Sequence, residues 1–173
     1  MTTALLSLGS NLGDRFAHLC AAVKALDDAL LVVSGVYETA PWGDPDQPAY
    51  LNAAILVVSD SDEPHHWIER ARALEAAAGR VRDPDRPYGP RTLDVDVIAV
   101  WGADGEPVVS TDPELTLPHP RAHQRAFVLR PWIDIQPYAH LPGHGPLTDL
   151  LRSADLRGQV AQLRARPDLQ WEA

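Results

Sequence analysis

Two aspartates, Asp94 and Asp96, stand two positions apart in an apolar stretch typical of a β-strand. Because side chains alternate across a strand, we expect both carboxylates on one face and Leu93, Val95 and Val97 on the other. At a rise of about 3.3 Å per residue, their Cβ atoms lie roughly 7 Å apart. This spacing suits a hard cation such as Mg²⁺, which takes few protein ligands and completes its coordination with water and phosphate oxygens.

An arginine-rich connection comes directly before these aspartates. It carries Arg80, Arg82, Arg86 and Arg91 among prolines and glycines, without apolar periodicity. Guanidinium groups match phosphate oxygens bidentately, so metal-binding carboxylates beside arginines favour phosphoryl transfer, which is mostly positioning and charge stabilisation. A solvated strand face and a charged loop are the ordinary alternatives, but connections of about 12 residues tend to be functional. We also expect residues 80–92 to form a mobile lid whose arginines repel one another until phosphate binds.

The bulk composition restricts the class of protein. The 173 residues suit one well-cored domain, and the net charge of −9 argues against non-specific nucleic-acid binding. Cys20 is the only cysteine, so neither an intrachain disulfide nor a cysteine-rich zinc site is possible. The first residues do not resemble a signal peptide, and no apolar run is long enough for a membrane span. We therefore expect a cytoplasmic protein without membrane or nucleic-acid partners, and a monomer.

The apolar pattern predicts the element order β-α-β-β-α-β. The predicted strands cover residues 5–8, 31–39, 51–59 and 92–101, and the predicted helices cover 14–30 and 64–78. This order indicates an α+β, ferredoxin-like fold, in which an antiparallel sheet carries helices on one face. We expect a single domain over 1–173, with a core at about 4–150 and a C-terminal helical extension at about 151–173.

Four segments carry a family resemblance. They are GSNL at 9–12, QPAYLNAA at 47–54, GPRTLDVD at 89–96, and LPHP at 117–120 with Arg125 and Phe127 beyond it. Together they resemble the 6-hydroxymethyl-7,8-dihydropterin pyrophosphokinases of folate biosynthesis, over about residues 4–150. The resemblance implies transfer of the β,γ-diphosphate of ATP to the pterin hydroxymethyl group, leaving AMP. It also implies two magnesium ions held by Asp94 and Asp96, with ATP as co-substrate.

The resemblance assigns further residues to the two substrates, which are small molecules. The residues implied in catalysis are Arg82, Arg91, Asp94 and Asp96. Those implied on the ATP side are Glu75, Arg82, Arg91, His119 and Arg125. Those implied on the pterin side are Thr39, Pro41, Trp42, Gly43, Tyr50, Asn52 and Phe127. A flat heteroaromatic ring suits two aromatic faces and an amide that both donates and accepts.

Other interpretations stay open at the level of sequence. The chain has no G-x-x-x-x-G-K-[ST] motif, which argues against a P-loop kinase. His119 and His123 are four apart and could bind zinc on a helix, although Pro120 and the lack of a nearby acidic ligand oppose this. A metal-dependent phosphohydrolase or nucleotidyltransferase could use the same aspartate pair. A non-catalytic ferredoxin-like regulatory or RNA-binding module is the remaining alternative.

Overall fold

The computed structural model describes residues 1–41, 44–80, 83–87 and 89–171. Its strands are β1 (Thr2–Ser10), β2 (Leu30–Val33), β3 (Tyr37–Thr39), β4 (Tyr50–Ser59), β5 (Asp94–Gly102), β6 (Ser110–Asp112), β7 (Leu115–Leu117), β8 (His140–Leu141), β9 (Gly145–Pro146) and β10 (Arg164–Ala165). Its helices are α1 (Arg15–Ala25), α2 (His65–Ala77), α3 (Ala126–Ile135), α4 (Leu147–Arg152) and α5 (Arg157–Gln162), with a 3₁₀ turn at Ala122–Gln124.

The main sheet is antiparallel and has β1 near its centre. Its strand order is β10-β3-β4-β1-β5, and β2 also pairs with β4. The register places Gly9 of β1 opposite Asn52 on one side and Asp94 on the other. Ser7 lies opposite Asp96. The central strand therefore brings the asparagine of one neighbour and the aspartates of the other to the same end of the sheet.

Helices cover both faces of this sheet. On the first face, α1 and α2 pack Leu19 and Trp67 against Leu6 and Leu8 of β1. The sequence predicts helices on this face, and the two core helices do share it. The second face is covered by elements from the last third of the chain. There α3 and α4 pack side chains such as Trp132 against Leu5 and Ile98. The fold is thus a mixed α/β structure with an antiparallel sheet between two helical layers.

The predicted ends of α1 and α2 can be compared with the observed ones. Asp14 caps α1 as expected, because its carboxylate accepts from the Ala17 N–H at 3.1 Å. The helix ends at Ala25, five residues before the predicted end at residue 30. Helix α2 ends before Gly79, whose φ of +73° is the left-handed conformation that glycine adopts without strain.

The predicted strand at 31–39 is wrong as a single element, because it is interrupted between β2 and β3. Ser34 causes the local break. Its backbone N–H donates to the Ala54 carbonyl, while its hydroxyl, and not its own carbonyl, accepts from the Ala54 N–H, each at 2.9 Å. A side chain has replaced a backbone group in the ladder, and such competition disrupts regular pairing.

The predicted C-terminal helical extension is helical only in its first part. After α5, the short strand β10 pairs with β3, and Arg166 donates its backbone N–H to Val36 at 2.8 Å. Trp171 then donates from its indole to the Ser34 carbonyl at 2.7 Å and packs 5.3 Å from the ring of Phe16. The tail thereby covers part of an otherwise open sheet edge.

Within the described residues, no helix combines the length and the apolar character that crossing a membrane requires. The cytoplasmic location and the monomeric state expected from the sequence stay predictions.

Candidate active site

Strand β5 separates its side chains as the sequence predicts. Leu93, Val95 and Val97 are buried in the core of the first sheet face. Asp94 and Asp96 point the other way and line a cavity of about 290 Å³. The expected common face of the two carboxylates is therefore confirmed.

The cavity gathers nine of the site residues that the resemblance implied, seven for the two substrates and the two aspartates for catalysis and metal binding. They are Thr39, Tyr50, Asn52, Arg91, Asp94, Asp96, His119, Arg125 and Phe127. They come from β3, β4, the connection before β5, β5 itself, the segment after β7 and the start of α3. Distant parts of the chain therefore meet at one end of the second sheet face. Pro41 lines a smaller neighbouring cavity that shares Phe127 with the first. Arg82, Trp42 and Gly43 lie outside the described residues.

Asp94 is held by two arginines. Its Oδ1 lies 2.9 Å from Nη1 of Arg91 and 3.0 Å from Nη1 of Arg80. Arg80 also pairs with Glu75, whose Oε2 accepts from the Val95 N–H at 3.0 Å. Glu75 is buried behind the strand and fixes the backbone between the two aspartates. The resemblance placed it on the ATP side, whereas these contacts give it a role in orienting Asp94.

Asp96 has weaker charge compensation. Nη1 of Arg125 lies 3.6 Å from its Oδ2, which is longer than either contact that Asp94 makes with an arginine. Burial, followed by the neighbouring Asp94 carboxylate, raises the pKa of Asp96 to about 7. A pair of carboxylates that resists full ionisation is a site where a divalent cation would be stabilising.

The donor set also limits which cation fits. Among the described residues, no group of three histidine, cysteine or acidic side chains is arranged to hold a metal ion. Two carboxylates alone fit magnesium, which keeps several waters and uses substrate phosphates as ligands. They do not fit a structural zinc site, which requires four protein ligands. His123 instead stacks on His144, with ring centroids 4.1 Å apart, so the zinc interpretation receives no support.

His119 presents a hydrogen-bond donor to the cavity. Its Nδ1 accepts from the Arg121 N–H at 3.2 Å, which assigns the proton of the neutral ring to Nε2. Burial, followed by the Arg125 charge, lowers the pKa of His119 to about 4. The ring is therefore neutral at physiological pH and donates without adding charge to a site already rich in arginine.

The other end of the cavity is suited to a flat polar ring. Asn52 donates from Nδ2 to the Thr39 hydroxyl at 2.8 Å, which fixes the orientation of its amide. Gly9 makes room for this arrangement: a Cβ there would lie 3.3 Å from Oδ1 of Asn52 and 3.4 Å from the Tyr50 ring. Burial raises the pKa of Tyr50, so its phenol is protonated at neutral pH. Phe127 supplies the second aromatic ring.

Asn11 connects the loops that border the site. Its side chain donates to Gln47 Oε1 at 2.8 Å and to the Pro48 carbonyl at 3.1 Å. Its Oδ1 accepts from the Arg91 N–H at 2.8 Å, and its own N–H donates to the Arg91 carbonyl. The segment after β1 is thus a junction between the loops that border the site.

The three arginines of the 80–92 connection that the structure describes are already paired with carboxylates. Arg80 and Arg91 bind Asp94, and Arg86 lies 2.7 Å from Asp44 Oδ2 and donates to the Asp46 carbonyl at 2.9 Å. The expected mutual repulsion of the four arginines is therefore wrong for these three, and the mobile lid at 80–92 stays a prediction. The Arg86 contacts join the connection to the loop before β4.

The sequence analysis missed several residues that border the cavity. Arg80 was placed in the arginine cluster but not at the aspartates. Ser7 and Gly9 line the cavity because they lie opposite Asp96 and Asp94 in the register. Alternation along β1 together with an assumed β1–β5 pairing would have found both. Arg121 had no comparable signal, since its position depends on the irregular segment around the 3₁₀ turn.

Comparison with known proteins identifies the family. Residues 5–137 match the family model of 7,8-dihydro-6-hydroxymethylpterin-pyrophosphokinase. The chain belongs to this family. A Mycobacterium tuberculosis protein named 2-amino-4-hydroxy-6-hydroxymethyldihydropteridine pyrophosphokinase is 46% identical over 158 residues, covering 87% of this chain and 83% of that protein. A Mycobacterium leprae protein of the same name is 47% identical over 146 residues, covering 82% of this chain and 75% of that one.

Solved structures agree with the fold of this pyrophosphokinase family. A crystal structure described as HPPK-DHPS in complex with substrates superposes with a TM-score of 0.61 at 10% identity, over 86% of this chain and 42% of that one. The wild-type HPPK-DHPS of Plasmodium falciparum gives 0.61 at 12% identity, over 95% and 47%. The chain spans less than half the length of these solved chains, and at such identities the likeness concerns the fold alone.

The family resemblance expected from the four segments is confirmed. All the residues that line the larger cavity fall within the matched stretch, and α4, α5 and β10 lie beyond it.

Proposed function

We propose that the chain transfers the β,γ-diphosphate of ATP to the hydroxymethyl group of 6-hydroxymethyl-7,8-dihydropterin. The hydroxymethyl oxygen forms a bond to the β-phosphorus, the bond from that phosphorus to the α,β-bridging oxygen breaks, and AMP leaves. The hydroxyl proton is lost to water. The products are AMP and the pterin diphosphate, an intermediate for folate biosynthesis. The topology behind this site we assign to the ferredoxin-like class, on the basis of the strand order around β1.

One observation carries the proposal. Two carboxylates and their arginines occupy the same cavity as Tyr50, Asn52 and Phe127. A phosphate-binding end and a flat-ring-binding end within one space of about 290 Å³ suit a reaction that joins a polyphosphate to a heteroaromatic alcohol. A phosphohydrolase needs only the first end. A non-catalytic module has no use for a pair of carboxylates in the wall of such a cavity.

The side chains divide the work between the two substrates. Arg91 and Arg125 offer guanidinium groups to the phosphate oxygens, and neutral His119 offers an N–H donor. Asn52 and Thr39 recognise the polar edge of the pterin, and the rings of Tyr50 and Phe127 pack on its faces. Because Asn52 is fixed by Thr39, the hydroxymethyl group is oriented before it meets the β-phosphorus.

Asp94 and Asp96 would hold magnesium, and we propose two ions. When bound, magnesium would neutralise charge on the transferred group and lower the pKa of the accepting hydroxyl. Glu75 and Arg80 keep Asp94 in position for this task, since Arg80 bridges the two carboxylates. ATP serves as co-substrate.

A product-resolved assay tests the function. The protein is incubated with ATP, magnesium and 6-hydroxymethyl-7,8-dihydropterin, and the products are separated by mass. Equal amounts of AMP and pterin diphosphate are expected, with no AMP above background when the pterin is omitted. Release of phosphate or pyrophosphate without pterin would instead support the hydrolase interpretation. Chelation of magnesium should stop the reaction, and Asp96→Asn serves as the inactive control.

A further inference from the structure

The start of helix α3 is an unusual place for an arginine. Arg125 occupies the N-cap position, where no side-chain cap hydrogen bond from it is made. A guanidinium group has only donors, so it is unable to accept from the exposed N–H groups at a helix start. Serine, threonine, asparagine or aspartate would normally stabilise this position. Arg125 instead reaches the cavity, 3.6 Å from Asp96.

Gln159 of α5 supplies the missing cap. Its Oε1 accepts from the Ala126 N–H at 3.0 Å, and its Nε2 donates to the Gln124 carbonyl at 2.9 Å. A single amide thus holds the backbone on both sides of Arg125. Gln159 lies beyond the stretch at 5–137 that matches the family model, so the cap comes from the C-terminal part of this chain.

Two cavity-lining side chains depend on that backbone. Arg125 is buried, and its guanidinium carbon lies 5.7 Å from the centre of the Phe127 ring. On its other side, Phe127 borders a small cavity of about 80 Å³ that Gln159 and Leu163 also line. Because this side is not densely packed, the position of Phe127 depends on the backbone at the start of α3.

We propose that Gln159 is a positioning residue for the pterin end of the active site, acting through the start of α3 on Phe127 and Arg125. This inference rests on the proposed function for its effect on pterin binding. Its structural part, the capping of Ala126 by Gln159, stands independently. It also gives the C-terminal extension a role in the site: α5 orders the helix start from which both side chains project.

Substitution of Gln159 by alanine tests the proposal. Loss of the cap should weaken pterin binding about fivefold, as expected for a lost N-cap interaction. Pterin affinity is measured by calorimetric titration in the presence of magnesium and α,β-methylene-ATP. Amide hydrogen exchange at residues 126–129 should become faster. Gln159→Glu keeps an acceptor for the Ala126 N–H and should recover part of both losses. Arg157→Ala, at an exposed position of the same helix that does not line the cavity beside Phe127, should change neither.

A double variant distinguishes a positioning role of Gln159 from general destabilisation of the protein. In Phe127→Ala protein, Gln159→Ala should weaken pterin binding by less than about twofold, because the two changes act on one unit. Any of three results would overturn the proposal. The first is a loss of about fivefold in pterin affinity on Gln159→Ala substitution in the Phe127→Ala protein. The others are equal pterin affinities of the Gln159→Ala and Gln159→Glu variants, and unchanged amide exchange at residues 126–129. If the wild-type protein forms no pterin diphosphate, the proposed function fails, and the exchange data still decide whether Gln159 orders α3.

Discussion

The two faces of one sheet are used for different purposes. The first face is covered by α1 and α2, and its β1 residues Leu6 and Leu8 are fully buried. On the second face, the same strand turns Ser7 and Gly9 toward the cavity, and apolar packing covers only the part below α3. Along β1, residues that stabilise the core therefore alternate with residues that line the cavity. Substitutions one position apart on a strand should affect different properties.

The largest difference between the two faces is expected when substitutions of Asp96 and Leu6 are compared for their effects on turnover and stability. Asp96→Asn should reduce turnover by at least about 10²-fold, since it removes charge stabilisation at the phosphoryl group. It should leave the unfolding free energy unchanged or higher, because burial opposes ionisation of this carboxyl. Leu6→Ala should cost about 2–5 kcal/mol of unfolding free energy and leave kcat of the folded protein near normal. Urea denaturation and steady-state kinetics measure both. A destabilised but active Asp96→Asn protein would contradict the separation.

Asp94 should behave differently from Asp96. Its substitution by asparagine should also abolish turnover, but it deprives Arg80 and Arg91 of a partner. Removing one member of a partly buried charge network is destabilising, so the thermal midpoint of Asp94→Asn should fall below that of Asp96→Asn. Differential scanning fluorimetry of the two variants at one pH provides the measurement. Equal midpoints would show that Glu75 alone satisfies Arg80.

A matched pair of tryptophans sharpens the comparison. Trp67 on the first face and Trp132 on the second are both fully buried, and each indole donates a hydrogen bond, to Thr2 and Gln136 respectively. Replacement of either by phenylalanine should cost about 1–3 kcal/mol of unfolding free energy. Only Trp132→Phe should also lower kcat/KM of the folded enzyme, because α3 carries Phe127 into the cavity. Comparable kinetic losses in both variants would remove the distinction between the faces.

The alternation of side chains between the two faces of β5 was predictable from the sequence, but the position at which it ends was not. Asp94 to Val97 alternate as the sequence indicates, and the same pattern would place Ala99 on the first face with Val97. A bulge shifts the β1–β5 register between Leu5 and Leu6, and Ile98 and Ala99 both join the second-face core. Bulges depend on the partner strand, so a single apolar run such as Val97 to Val100 gives no sign of one.

Long-range polar contacts are the other feature that could not be predicted from the sequence. The family resemblance found the cavity residues, yet it did not reveal that Glu75 binds the Val95 N–H or that Arg80 bridges Glu75 and Asp94. These contacts need α2 and β5 in their packed positions. The same holds for Gln159, whose partners lie about 35 residues earlier in the chain. A local sequence pattern predicts which face of the sheet a side chain occupies. Its long-range hydrogen-bond and ion-pair partners are visible only in the packed structure.

The two ends of the cavity should respond to different ligands. Tyr50→Ala should weaken pterin binding about tenfold and change ATP affinity little, since an aromatic ring acts on the flat substrate. Tyr50→Phe keeps the ring and should bind pterin nearly normally. Arg91→Ala should show the opposite preference, with weaker ATP binding. Equal losses for both ligands in Tyr50→Ala would mean that Tyr50 is a packing residue.

The smallest expected effect is on the pH dependence of stability, where two histidines on the second face can be compared. Burial, followed by Arg125, lowers the pKa of His119 to about 4, and burial followed by His144 lowers the pKa of His123. A histidine whose folded pKa is depressed stabilises the protein fully above its ordinary unfolded pKa of 6.5. That contribution is lost as the pH falls from about 6.5 toward 4, because the unfolded chain takes up the proton first.

His119→Gln should therefore flatten the fall in unfolding free energy between these pH values, and His123→Gln should flatten it less. Urea denaturation across this pH interval tests the order. If His123→Gln flattens the profile more, His119 is less enclosed at the wall of the active site than its pKa indicates.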